Sequence, residues 1–199
     1  MVTDAYQEGR GVVARGRVVQ GYLGVGERVL VLPIGDATTV SKLDHLQPPS
    51  GSAERLAIAQ AGDTVDLVLN GIDLMRLSVG NILANPNALP PICKKFTAKI
   101  LVMDQLNIPI IRGAQVLFHM HSLDIPAVLT KLIVTTKRDG TIKKERPRAL
   151  TSGASAVVEV TLSAGICMEP FSECRALGRF VLRRGGDTIA VGVIDELVQ

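Results

Sequence analysis

The sequence predicts an all-β fold made of two consecutive antiparallel β-barrels. Three observations carry that expectation. Apolar and polar residues alternate over short runs, which suits strands with one buried face. Turn residues, chiefly glycine, punctuate the chain roughly every 8 to 12 residues. Helical periodicity never persists beyond a turn or two.

Residues 10–33, RGVVARGRVVQGYLGVGERVLVLP, organise the first half. Val12, Ala14, Gly16 and Val18 fall on one face of an extended chain, and Val13, Arg15, Arg17 and Val19 on the other. Gly21, Gly24 and Gly26 supply tight backbone before a second strand over 27–32. The stretch therefore reads as a hairpin and as the first edge of a small barrel, with residues 1–9 as a lead-in. A third strand is expected over 37–46, and a loop at Pro48, Pro49, Ser50, Gly51 and Ser52. Short strands over 55–59, 63–69 and 79–83 complete the set, with Gly71 ending the middle one.

Residues 84–91, ANPNALPP, cannot continue a ladder and mark the domain boundary. The expected domains are 1–86 and 87–199. In the second, 94–103 is a strand with Phe96, Ala98 and Ile100 on one face. Residues 113–121 follow, with Val116, Phe118 and Met120 opposed to Leu117, His119 and His121. Residues 126–136 are β-branched and apolar, Asp139-Gly140 is a hairpin turn pair, and strands over 154–163, 178–184 and 188–198 close the chain.

Composition narrows the function. The net charge is +3, unevenly distributed. Residues 1–89 hold seven Lys and Arg against nine Asp and Glu, and residues 90–199 hold fifteen against ten. The second half thus suits an anionic partner such as RNA. Trp is absent and aromatics are few, which disfavours base stacking. No apolar run approaches the roughly 18 residues a membrane span needs. No signal segment opens the chain, so a soluble, cytoplasmic setting without membrane contact is expected. Cys93, Cys167 and Cys174 form neither a disulfide framework nor a CxxC. The chain has no GxxxxGK[ST], no GxGxxG ahead of a helix, no GxSxG and no HExxH. His119 and His121 could share a strand face, but no acid or thiol pattern completes a metal shell around them. No catalytic, cofactor or metal residue is expected.

Several motifs in order resemble barrels two and three of the translational GTPases, the family of EF-Tu. They are Arg10-Gly11-Val12-Val13, Gly16-Arg17-Val18, Gly21, Val25-Gly26-Glu27, Ala61-Gly62-Asp63, Gly71-Ile72, Val79-Gly80 and Ile82-Leu83. In the second half they are Leu177-Gly178-Arg179-Phe180, Arg183, Gly185-Gly186, Thr188 and Ala190-Val191-Gly192-Val193. Within the family, Ile108-Pro109-Ile110, then Asp124-x-Pro126-Ala127-Val128 and Lys131-Leu132, are most similar to the Hbs-type GTPase that partners Pelota. Arg146-Pro147-Arg148 is similar to the class-II release factor GTPase, which ranks second, and the Ski-complex-bridging relative ranks third.

The resemblance implies a fragment whose GTP-binding domain, with its GTP and Mg, lies outside this chain. It implies a first barrel facing small-subunit rRNA, with Arg10, Arg15 and Arg17 as phosphate contacts. It implies a second barrel gripping a Pelota-like relative of class-I release factors, in no-go and non-stop mRNA surveillance. Leu123, Ile125, Pro126, Lys131, Arg146 and Arg148 are the expected contacts, and the exosome-associated Ski complex is a further expected partner. Where EF-Tu has a glutamate for the aminoacyl end of tRNA, alignment on Ala61-Gly62-Asp63 places Ile58, which cannot accept a hydrogen bond.

Overall fold

The computed structural model describes residues 1–9, 11–46, 57–137 and 141–198. They form two compact units, Met1–Pro90 and Pro91–Gln199.

The first unit contains β1 (Val2–Glu8), β2 (Gly11–Arg17), β3 (Tyr22–Gly24), β4 (Arg28–Leu32), β5 (Asp36–His45), β6 (Ile58–Gln60), β7 (Thr64–Asn70) and β8 (Ile82–Ala84). Six of these strands form one antiparallel sheet in the order β1-β2-β7-β5-β4-β8. Its two ends meet through backbone bonds. The Val2 N–H donates to Asn81 O at 2.9 Å and the Gly80 N–H to Val2 O at 2.8 Å. Val12, Ala14, Val29, Val31, Val40, Val65, Leu67 and Leu69 fill the core thus enclosed.

The expected hairpin over 10–33 is corrected here. Strand β2 pairs with β1 and β7, whereas β4 pairs with β5 and β8. Between them β3 pairs with β6, so the connection is itself a strand and cannot serve as a tight turn. Residues 1–9 are accordingly no lead-in, because β1 supplies the hairpin partner of β2. Its sequence hid this: among VTDAYQE only Val2 is buried, so no alternation of apolar residues is visible. A 3₁₀ turn, Leu74–Arg76, was also unforeseen. Asp73 caps it by accepting the Met75 N–H at 2.9 Å, and Arg76 clasps Asp36 with two bonds of 2.7 and 2.8 Å. The expected loop at 48–52, residues 55 and 56 of the expected strand, and the Asp139-Gly140 turn lie outside the described residues.

The second unit contains β9 (Ile92–Val102), β10 (Ile110–Ile111), β11 (Gln115–Met120), β12 (Leu123–Thr136), β13 (Ile142–Glu145), β14 (Ala149–Leu150), β15 (Ser155–Cys167), β16 (Arg179–Arg184) and β17 (Asp187–Val198). The order β11-β16-β17-β9-β15-β12 returns to β11, so six antiparallel strands close into a barrel. Phe96, Phe118 and Phe180 meet at its centre. Phe96 stands edge-on to each of the others with centroids 5.6 Å apart, and Phe118 stacks on Phe180 at 4.9 Å. These offset and edge-on geometries are the favourable ones for aromatic rings. Gly192 makes room for them: a Cβ there would lie 2.6 Å from Phe180 and 2.9 Å from Ile100.

Strand β12 belongs to two ladders. Its first half, Leu123 to Val128, pairs with β11. Register shifts between Leu129 and Lys131 and between Leu132 and Val134 follow. Such bulges bend and twist a strand. Beyond them Val134, Thr135 and Thr136 pair with β13, which stands outside the closed barrel as a flap.

Candidate partner-binding surface

On the second unit an open groove crosses β11, β12, β15 and β16. Register builds it. Leu117 of β11 lies opposite Pro126 of β12 on one side and Arg183 of β16 on the other, so the three sit abreast. Gln115, Val128, Thr161 and Ser163 extend the lining, with Arg184 and Gly185 at the rim. Pro126 is tolerated because the β12–β15 ladder begins only at Ala127, leaving β12 with one partner strand at that point. The Arg183 guanidinium donates to Gly186 O at 3.0 Å and that of Arg184 to Ile108 O at 2.6 Å. Neither is in an ion pair among the described residues, although Asp187 lies directly opposite Arg184 in the β16–β17 ladder. An apolar floor under a positive rim can seat an apolar side chain and steer an acidic neighbour toward it.

Beside the groove, Glu159 of β15 is buried on the barrel wall. Its carboxylate accepts the Thr130 hydroxyl at 2.8 Å and the Lys131 ammonium at 2.9 Å, and Lys95 lies 3.3 Å away. Burial alone would raise this carboxyl, but the hydrogen bonds from Lys131, Thr130 and Lys95 outweigh it and hold it below the ordinary range.

The expected contact residues fall into three groups. Pro126 is exposed and lines the groove, and Arg146 and Arg148 are exposed beside β13 without an ion pair among the described residues. Lys131 is exposed but committed to Glu159. Ile125 is corrected: it points into the barrel, buried with Phe118 and Leu129, and is unavailable as a surface anchor. Leu123 is only partly accessible and packs against the same core. Strand alternation explains both outcomes, since Ile125 and Pro126 are successive and point to opposite faces.

On the first unit, the Arg15 side chain is partly exposed and ion-paired. Its guanidinium makes a two-pronged bond to Asp66, 2.8 Å at each prong, and lies 5.7 Å from the centre of the Tyr6 ring. The Tyr6 hydroxyl also donates to Asp66 at 3.1 Å. The bond from Arg15 is the main cause that holds the Asp66 carboxyl below its ordinary value; burial opposes it and Tyr6 assists. The three side chains come from adjacent strands β1, β2 and β7, so they tie the sheet together. Arg17, at the end of β2, is exposed and makes no ion pair among the described residues. Arg10 lies outside the described residues. Ile58 of β6 is exposed beside fully buried Ala59.

His119 and His121 do not act together. His119 bonds Asp124 at 2.7 Å across the β11–β12 pair, whereas His121 occupies the following turn with φ of 56°. No cluster of metal-ligating side chains occurs among the described residues. Sequence reasoning missed the groove rim of Arg183 and Arg184 and the buried Glu159. The available signal was the Arg183-Arg184 pair ahead of Gly185-Gly186; Glu159 looked like any polar residue alternating along a strand.

Comparison with known proteins places these barrels. The chain is 34% identical to Protein HBS1 of Drosophila melanogaster over 198 residues, covering 98% of this chain and 28% of that protein. It is 31% identical to elongation factor 1-alpha of Picrophilus torridus, covering 98% of this chain and 45% of that one. The chain therefore spans less than half the length of these relatives. Its fold matches the crystal structure of sup35 complexed with GDP at a TM-score of 0.88 and 23% identity, over 100% of this chain and 47% of that one. Residues 95–195 match the family model described as GTP-eEF1A C-terminal domain-like. The chain belongs to that family and is a C-terminal β-barrel region of the translational GTPases.

Proposed function

We propose that this chain is the non-catalytic C-terminal region of a ribosome-rescue GTPase of the Hbs type, with residues 1–86 as the second domain of the factor and 87–199 as the third. The third domain holds a Pelota-like tRNA mimic, and the second faces the small ribosomal subunit, in the cytoplasm, during no-go and non-stop mRNA surveillance. The observation that carries this reading is the 34% identity to an HBS1 protein across 98% of the chain. Exposed Ile58 supports it, because an apolar residue at that place offers no acceptor to the terminal ribose of an aminoacyl-tRNA. The basic rim of Arg183 and Arg184 around Pro126 supplies the partner contact, together with Arg146 and Arg148. Nucleotide chemistry resides in another part of the parent protein, since these 199 residues carry no phosphate-loop sequence.

A pull-down of the chain with a Pelota-type factor tests the reading. Retention of that factor, weakened in a Pro126→Glu, Arg183→Glu variant, is expected. Equal retention by the variant removes the groove as the contact. Preferential retention of a class-I release factor replaces the Hbs assignment with the class-II release factor.

A further inference from the structure

Among the described residues, strand β13 leaves a sheet edge open. It pairs with β12 on one side, through Val134↔Glu145, Thr135↔Lys144 and Thr136↔Ile142, and it ends the strand order of its sheet. All four of its residues are exposed, and Ile142 shows 59% of its surface to solvent. Lys137, Lys143, Lys144, Arg146 and Arg148 surround this edge, and none of them is in an ion pair among the described residues. Glu145 is the one acidic residue within β13.

An open edge is a template for another strand, because its outward N–H and C=O groups lack ladder partners. Charge decides which strand can use it. A second copy of β13 would bring Lys143 and Lys144 against like charges, which opposes self-pairing. An extended segment rich in Asp or Glu would instead gain ladder bonds and charge pairing together. RNA suits the edge less well. Phe96, Phe118 and Phe180 are buried in the barrel, Phe171 lies under Arg179, and no aromatic residue occurs in β13 or its described flanks to stack a base.

We propose that the free edge of β13 is a docking site for an acidic polypeptide segment, which adds to the sheet as an extended strand beside Ile142–Glu145. The edge shares its flanking Arg146 and Arg148 with the partner contact proposed above, but the docking itself requires neither a Pelota-like factor nor the ribosome.

The test uses the full chain and three probes: a short labelled peptide alternating glutamate and valine, the same peptide with alternate backbone amides methylated, and an oligo-uridine of similar length. Anisotropy reads affinity, and amide exchange reads the site. The unmodified peptide is expected to bind about tenfold more tightly than its methylated analogue, because ladder bonds add to charge. It is expected to slow exchange within Ile142–Glu145. A Lys143→Glu, Lys144→Glu variant, altered only at exposed positions, is expected to melt normally and lose the peptide. Equal binding of the methylated peptide would overturn the proposal by reducing the contact to bare charge. Tighter binding of oligo-uridine with protection of the same amides would overturn it in favour of RNA.

Discussion

Two buried or half-buried carboxylates anchor ion pairs on the walls of the two units. Asp66 and Glu159 both sit below their ordinary values in the folded protein, the first chiefly through Arg15, the second because Lys131, Thr130 and Lys95 outweigh burial. A carboxyl whose folded value is depressed stabilises the fold above its unfolded value, and that contribution is lost as pH falls through the folded one. Thermal melts should therefore show a drop from these carboxylates as pH falls below about 4, the unfolded carboxylate range. An Arg15→Met variant should melt lower at neutral pH and show a shallower acid drop. An unchanged acid profile in that variant would mean that Arg15 and Asp66 are not coupled in solution. In the core, Phe118→Ala should cost about 3–5 kcal/mol in denaturant unfolding, because it empties the centre of the ring cluster. Gly192→Ala should cost about 1–3 kcal/mol by overpacking against Phe180 and Ile100.

At the scale of elements, stability should follow ladder membership. Strands β9, β15 and β17 each have partners on both sides, whereas β13 has one among the described residues and all four of its residues are exposed. Amide exchange should be slowest in β9 and β15 and fastest in β13, since local opening tracks buried apolar contact. Exchange in β13 as slow as in β9 would show that the flap is packed. Strands of this kind also show what a sequence can reveal. Phe96, Ala98 and Ile100 announced β9, and Val116, Phe118 and Met120 announced β11, because alternation reports a face buried in a barrel. Strand β1 gave no such signal, as its hairpin with β2 buries little beyond Val2. Register is a long-range property, so the pairing of β2 with β7 rather than β4 was not legible locally. The surface was harder still. The sequence offered Ile125 and Pro126 alike as contacts, and only the fold showed that Ile125 points inward and that Lys131 and Arg15 are paired with Glu159 and Asp66.

For the whole molecule, family membership and architecture agree. Two β-barrel units without a phosphate loop belong to a family whose longer relatives extend well beyond the matched region. The chain is therefore expected to bind neither labelled GTP nor labelled GDP in a fluorescence titration, and tight binding of either would refute the assignment of nucleotide chemistry to another domain. The rim of Arg183 and Arg184 should make partner association fall with added salt, because exposed charge pairs are screened over about 10 Å at moderate ionic strength. The central claim is that the chain holds a protein cargo shaped like tRNA. Side-by-side titration calorimetry of the chain with a Pelota-type factor, a class-I release factor and aminoacyl-tRNA tests it most directly. The account predicts saturable heat with the Pelota-type factor and weaker or no binding of the other two; tightest binding of aminoacyl-tRNA would contradict it.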